Sequence, residues 1–203
     1  MKVNYLSKNI IIGFIGLIII IFLLLISPLL HLTLWSTLVL CTLVLLILAP
    51  LLKRTNNFIS GLIGEKDVGE VLKSLDSNYI CIDSGLDTAT GNIDKIVVGP
   101  TGVWTLEIKS HKGNIDLSDN FLKQAFAEAK YLEHILFMAN IYTHVQPILV
   151  FSNKYANVRF GLKQQNGVYI IRKEWLNKLL TSTHIRYLDG ATVLKIKEII
   201  ETQ

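Results

Sequence analysis

The stretch "GNIDKIVVGPTGVWTLEIKSHKG", residues 91–113, carries Asp94, Glu107 and Lys109 on two apolar runs joined by a turn. Side chains alternate faces along a strand, so Val103, Thr105, Glu107 and Lys109 share one face and Trp104, Leu106 and Ile108 share the other. The second set is wholly apolar, which predicts that it faces the core and that the acid and the amine project from the opposite side. The turn Gly99-Pro100-Thr101-Gly102 sets the pairing. A loop built on a type I turn, with Pro100 at its second position, puts Val98 opposite Val103 and, counting outward, Asp94 opposite Glu107. Opposed like charges on a hairpin are destabilising, and a divalent cation turns that repulsion into ligation, because hard cations favour carboxylate oxygens. A three-residue loop with a bulge at Gly102 would shift the register and separate the acids. Two acids and a lysine around a metal suit phosphodiester hydrolysis, in which the metal activates water and the ammonium stabilises charge growing on the phosphoryl group. The alternative is an ordinary Glu–Lys pair on a solvated strand face.

The elements around this hairpin are legible from their periodicity. "GEKDVGEVLKSL" places Val68, Val71, Leu72 and Leu75 on one helical face. "YICID", "NIDKIVV" and "VWTLEIK" read as three strands, and "NFLKQAFAEAKYLEHILFMAN" as a long helix whose inward stripe is Leu122, Ala125, Phe126, Ala129, Leu132 and Leu136. "VQPILVFS" and "GVYIIR" are two further strands, and "KEWLNKLL" and "GATVLKIKEIIE" are closing helices. Helix, three strands, helix, two strands and helices predict one α/β domain with a mixed sheet flanked by helices.

The N-terminal part is of another kind. Of 203 residues 51% are hydrophobic, and the excess lies in residues 10–52, which hold no Lys, Arg, Asp or Glu. A bilayer core about 30 Å thick needs roughly 20 apolar residues of helix, so this run fits two spans, Ile10–Ile26 and Leu32–Leu52, turning at Ser27-Pro28. The competing reading is a signal peptide after Lys2 and Lys8, but the run is long and lacks an A-x-A cleavage site. The expected organisation is a flank (1–9), a transmembrane hairpin (10–52), a short polar linker (53–60) and a folded domain (61–203). The formal charge of +4 resides in Lys2, Lys8, Lys53 and Arg54. The rest of the chain is balanced, so its basicity says nothing of nucleic-acid binding. Positive flanks at both outer ends predict a multi-pass protein of the cell membrane, with both termini and the folded domain in the cytoplasm. Cys41 and Cys81, the only cysteines, allow no disulfide framework and no zinc spacing.

The spacing Asp94-x12-Glu107-x-Lys109 resembles the D…ExK core of restriction-endonuclease-like nucleases. The surrounding text resembles the nuclease-related domain (NERD) family. Gly64-Glu65 before an apolar helix, Ile93-Asp94, Val98-Gly99-Pro100, Gly102-Val103, Glu107-Ile108-Lys109 and Gly113 follow its signature, and "DNFLKQA" with Gln124 follows its glutamine helix. The resemblance implies a restriction-endonuclease-like fold and Mg²⁺ or Mn²⁺ as cofactor. It further implies Glu65, Asp94 and Glu107 as metal ligands, Lys109 as the catalytic amine, and Gln124 as a residue shaping the site. On pattern alone Gln124 points away from the apolar stripe, as a solvated glutamine would, and Glu65 is equally well an exposed capping residue.

Two functions follow as expectations. One is a metal-dependent nuclease anchored in the lipid bilayer through residues 10–52 and acting on nucleic acid. The other is a catalytically silent scaffold that keeps the nuclease-like fold and binds nucleic acid or protein. The intact acids and lysine favour the first, and the neutral charge of the folded part tempers it, since nucleic-acid affinity draws on Lys and Arg. Lys95, Lys109, Lys112 and Lys123 could form a local basic patch. His111 follows the motif closely and reads as a loop histidine, and no G-x4-GK[ST] motif occurs.

Overall fold

The computed structural model describes residues 14–23, 25–26, 34–88, 91–115, 119–182 and 187–203. The chain divides into two compact units, Met1–Leu62 and Ile63–Gln203.

In the first unit, α1 (Phe14–Leu23) is a short apolar helix, and α2 (Leu34–Leu72) is a 39-residue helix with Pro50 inside it. A Cβ on Gly16 would lie 2.3 Å from Leu48 Cδ2, so the missing side chain lets these two helices touch. Trp35, Val39, Leu43, Leu46 and Ile47 are each more than half exposed. One helix among the described residues, Trp35–Leu72, is long and apolar enough to cross a membrane. The first expected span is helical where it is described, at residues 14–23 and 25–26; residues 10–13 and the turn at Ser27-Pro28 lie outside the described residues. Residues 53–60, expected as a linker, are helical instead. After Pro50 that segment has no proline to remove a backbone donor, so the i→i−4 bonding of α2 continues through it.

The second unit is built on one mixed sheet. Its strands are β1 (Ile80–Ile82), the two-residue β2 (Asp87–Thr88) and β3 (Gly91–Asn92), β4 (Lys95–Gly99), β5 (Gly102–Lys109), β6 (Gly113–Asn114), β7 (Val145–Phe151), β8 (Ala156–Asn157), β9 (Gln164–Gln165) and β10 (Val168–Arg172). Six of them form the sheet in the order β1-β4-β5-β7-β10-β9, while β2 pairs with β3 and β6 with β8. Strands β1, β4 and β5 are antiparallel neighbours, and β5, β7 and β10 run parallel. The helices are α3 (Asp119–Met138), α4 (Leu176–Thr181) and α5 (Gly190–Glu201).

Helices α3 and α5 cover one face, with Ala129, Leu132, Leu136, Val193, Ile196 and Ile200 packed against Ile96, Val98 and Val103. Val68 and Leu72 of α2 and Leu176, Leu179 and Leu180 of α4 cover the other, against Val97, Trp104, Leu106 and Ile108. Every residue of β5 except Lys109 is therefore buried. The apolar face of β5 is core as expected, but the Glu107 face is a second core and not an open surface. A strand flanked by a parallel neighbour, in a sheet with helices on both faces, has no wet face. The stripe of α3 is also rotated from expectation. Phe126 is 43% exposed, whereas Glu128 is fully buried.

Candidate functional site

The turn sets the register of the β4–β5 hairpin as its residue types require. Gly99 pairs with Gly102, Val98 with Val103, and the ladder ends at Lys95 opposite Leu106. Pro100 and Thr101 form the loop, and Gly102 has φ 130°, a conformation open to glycine and strained for other residues. Tyr79 lies flat on Gly99, where a Cβ would meet its ring at 2.2 Å. Asp94 stands one residue beyond the ladder. Its Oδ2 accepts the Ile108 N–H at 2.8 Å, so a side chain replaces the missing strand partner.

Glu107 is only 3% exposed, and its Oε1 is paired with the ammonium of Lys109. Lys109 Nζ also reaches Gln124 Oε1 at 3.4 Å and lies 5.2 Å from the ring centre of Phe121. Gln124 Nε2 donates to Glu128 Oε1 at 2.9 Å. Gln124 thus faces the hairpin, contrary to the solvated position its pattern suggested, because the buried arc of α3 extends toward Gln124 and Glu128. Gly91, at φ 143°, comes so close that a Cβ there would lie 3.1 Å from Gln124 Nε2.

Helix α2 contributes Glu65. Its approach depends on Gly64, where a Cβ would stand 2.5 Å from Ser152 Oγ and 3.6 Å from Ser110 Cβ, at the ends of β7 and β5. Glu65 is half-buried, and its charge acts on Asp94. Burial, then the charges of Glu107 and Glu65, push the Asp94 carboxyl up to about 7, against a smaller opposing pull from the Ile108 hydrogen bond. Burial and the charge of Glu107 push Glu128 up to about 8, while its bond from Gln124 pulls the other way.

The structure thus brings Asp94, Glu107, Lys109 and Gln124 together, with Glu65 close enough to act on Asp94. Glu128 was missed in the sequence. Its signal was an acid four residues after Gln124, one helical turn on along the same face, flanked by small Ala125 and Ala129 that let α3 approach the strand. Of the expected basic patch, Lys95 pairs with Asp83 and Lys109 with Glu107, which leaves Lys112 and Lys123 exposed. His111 packs edge-on against Phe121, with ring centres 5.2 Å apart.

Among the described residues, Glu107 Oε2 and Glu128 Oε2 are buried with no hydrogen-bond partner. Such atoms are costly in a protein interior, and carboxylate oxygens are among the ligands that hard divalent cations favour. No three His, Cys, Asp or Glu side chains among the described residues converge as a finished metal cage.

Fold and site together define a mixed α/β domain with buried carboxylates and a lysine gathered at the open end of a β-hairpin. The model of the NERD family, the nuclease-related domain, matches residues 60–152. No curated protein and no solved structure matches the chain.

Proposed function

We propose that the protein is a divalent-metal-dependent nuclease, held in the membrane by its N-terminal apolar helices, that hydrolyses phosphodiester bonds on the cytoplasmic side. The observation that carries this reading is the burial of Glu107 beside Asp94 and Lys109. A solvated strand face would account for a Glu–Lys pair but not for one whose acid is 3% exposed and next to a second acid. The finer fold reading is a restriction-endonuclease-like core, in which a hairpin and the next parallel strand present the acids beside a helix.

In that mechanism Asp94 and Glu107 would hold Mg²⁺ or Mn²⁺, with Glu65 contributing from α2. The cation supplies Lewis-acid polarisation of the phosphate and an activated water. Lys109 provides a fixed positive charge where the phosphoryl oxygens gain negative charge, in a site that the helices shield from bulk water. Gln124 positions that ammonium through its carbonyl oxygen. The backbone N–H of Ile108 fixes Asp94, so that the two acids stay on either side of the hairpin. Lys53 and Arg54 at one end of the apolar run, with Lys2 and Lys8 at the other, support the cytoplasmic placement.

The test uses the full chain in mild detergent beside a Glu107→Ala/Lys109→Ala variant. Each is incubated with labelled single- and double-stranded DNA and RNA, in Mg²⁺, in Mn²⁺ or in EDTA. Cleavage by the parent that needs metal and drops at least about 100-fold in the variant, as expected when transition-state electrostatic stabilisation is removed, supports the reading. Equal cleavage by both proteins, or cleavage that persists in EDTA, refutes it. A parent that neither cuts nor binds Mn²⁺ would be a scaffold with a nuclease-like fold.

A further inference from the structure

Two oxygens remain unaccounted for in the site, and they lie on facing elements. The Oε1 of Glu107 is taken by Lys109 and the Oε1 of Glu128 by Gln124. The Oε2 of each is buried without a partner among the described residues. Their parent side chains are 3% and 0% exposed, and the charge of Glu107 acts on Glu128. If Glu128 served only to hold Gln124, one oxygen would do, and a neutral amide would do it without bringing a second buried acid to Glu107.

We propose that Glu128 is itself a ligand of the divalent cation, which is bracketed by Glu107 Oε2 from strand β5 and Glu128 Oε2 from helix α3. This assignment rests on the metal-dependent reading above and adds to it a carboxylate outside the Asp–Glu–Lys motif. Glu128 joins Asp94 and Glu107 around the cation, and water and substrate phosphate oxygens complete its octahedron. This arrangement also gives Gln124 a second duty: its amide nitrogen holds Glu128 while its carbonyl holds Lys109, so ligand and amine share one support.

The experiment measures binding and not turnover. Wild type, Glu128→Gln, Glu107→Ala and Leu132→Ala, all full-length in detergent, are titrated with Mn²⁺ by calorimetry and melted in EDTA and in excess Mn²⁺. Glu128→Gln is nearly isosteric, keeps an oxygen for Gln124 and can donate to Glu107, so its melting temperature in EDTA equals or exceeds that of wild type. Its Mn²⁺ affinity falls at least about tenfold, in line with the loss of one support of a metal site, and the rise in melting temperature on adding Mn²⁺ shrinks with it. Leu132→Ala, one turn further along α3 and destabilised for packing reasons alone, retains its Mn²⁺ affinity and so separates loss of fold from loss of a ligand. Should Glu128→Gln bind as well as wild type, or lose no more than Leu132→Ala, while Glu107→Ala abolishes binding, the assignment of Glu128 is overturned and the metal-dependent reading stands. A wild type that binds neither Mn²⁺ nor Mg²⁺ overturns both.

Discussion

Replacing Asp94 by asparagine should stabilise the metal-free protein at neutral pH. The Asp94 carboxyl ordinarily titrates at 3.8 and is pushed up to about 7 in the fold by burial and by the charges of Glu107 and Glu65. Between those values the unfolded chain has released a proton that the folded chain still binds. Stability therefore falls as pH rises across this window, is highest below about 4, and is flat above about 7. At about 1.4 kcal/mol per pH unit, the contribution at pH 7.5 is on the order of 4 kcal/mol, shrinking to about 1 kcal/mol at pH 4.5. Asparagine keeps an oxygen for the Ile108 N–H at 2.8 Å and removes the charge. The Asp94→Asn protein in EDTA should thus melt roughly 8–16 °C above wild type at pH 7.5, for a domain of this size, and only slightly above it at pH 4.5. Glu128 imposes a slope of the same sign. The lowered carboxyls of Glu133 and Asp189 impose the opposite one, at lower pH. The decisive quantity is accordingly the difference between variant and wild type, read by circular dichroism across pH 4.5–8. Excess Mn²⁺ should narrow the difference by more than half, since a cation at 100 times its dissociation constant adds about 2.7 kcal/mol to wild type alone. A variant less stable than wild type in EDTA at pH 7.5, or a difference independent of pH, would show that Asp94 is not held in a charge-disfavouring site.

Two packing predictions accompany this one. Gly64→Ala drives a Cβ to 2.5 Å from Ser152 Oγ and should cost about 1–2 kcal/mol of overpacking. Adding Ser152→Ala should recover that loss, and the better helix propensity of alanine, about 1 kcal/mol, should bring the double variant to wild-type stability or above. Additive losses in thermal melts would refute the contact. Leu132→Ala, at a fully buried position between α3 and the sheet, should cost about 2–5 kcal/mol, and a loss below about 1 kcal/mol would mean that α3 is not seated there.

Local geometry decided what could be read without a fold. The Gly-Pro-Thr-Gly turn sets the hairpin register, because a short loop leaves one way to pair its flanks, and strand alternation then puts Glu107 and Lys109 on one face. The apolar run at residues 10–52 and the helical rhythm around Val68 and Leu72 are likewise local. Whether the Glu107 face meets water was not local. That depended on α3 docking over the sheet through Ala125, Ala129 and Leu132, contacts made across the crossover from β5 to β7. The same docking turned Gln124 inward, exposed Phe126 and buried Glu128, whose charge in a helix pattern reads as surface until a strand is laid against it. Strand alternation and the turn settle which residue types share a face and which acids a hairpin opposes. Which faces are covered, and so which acids are buried, followed from packing between elements distant in the chain.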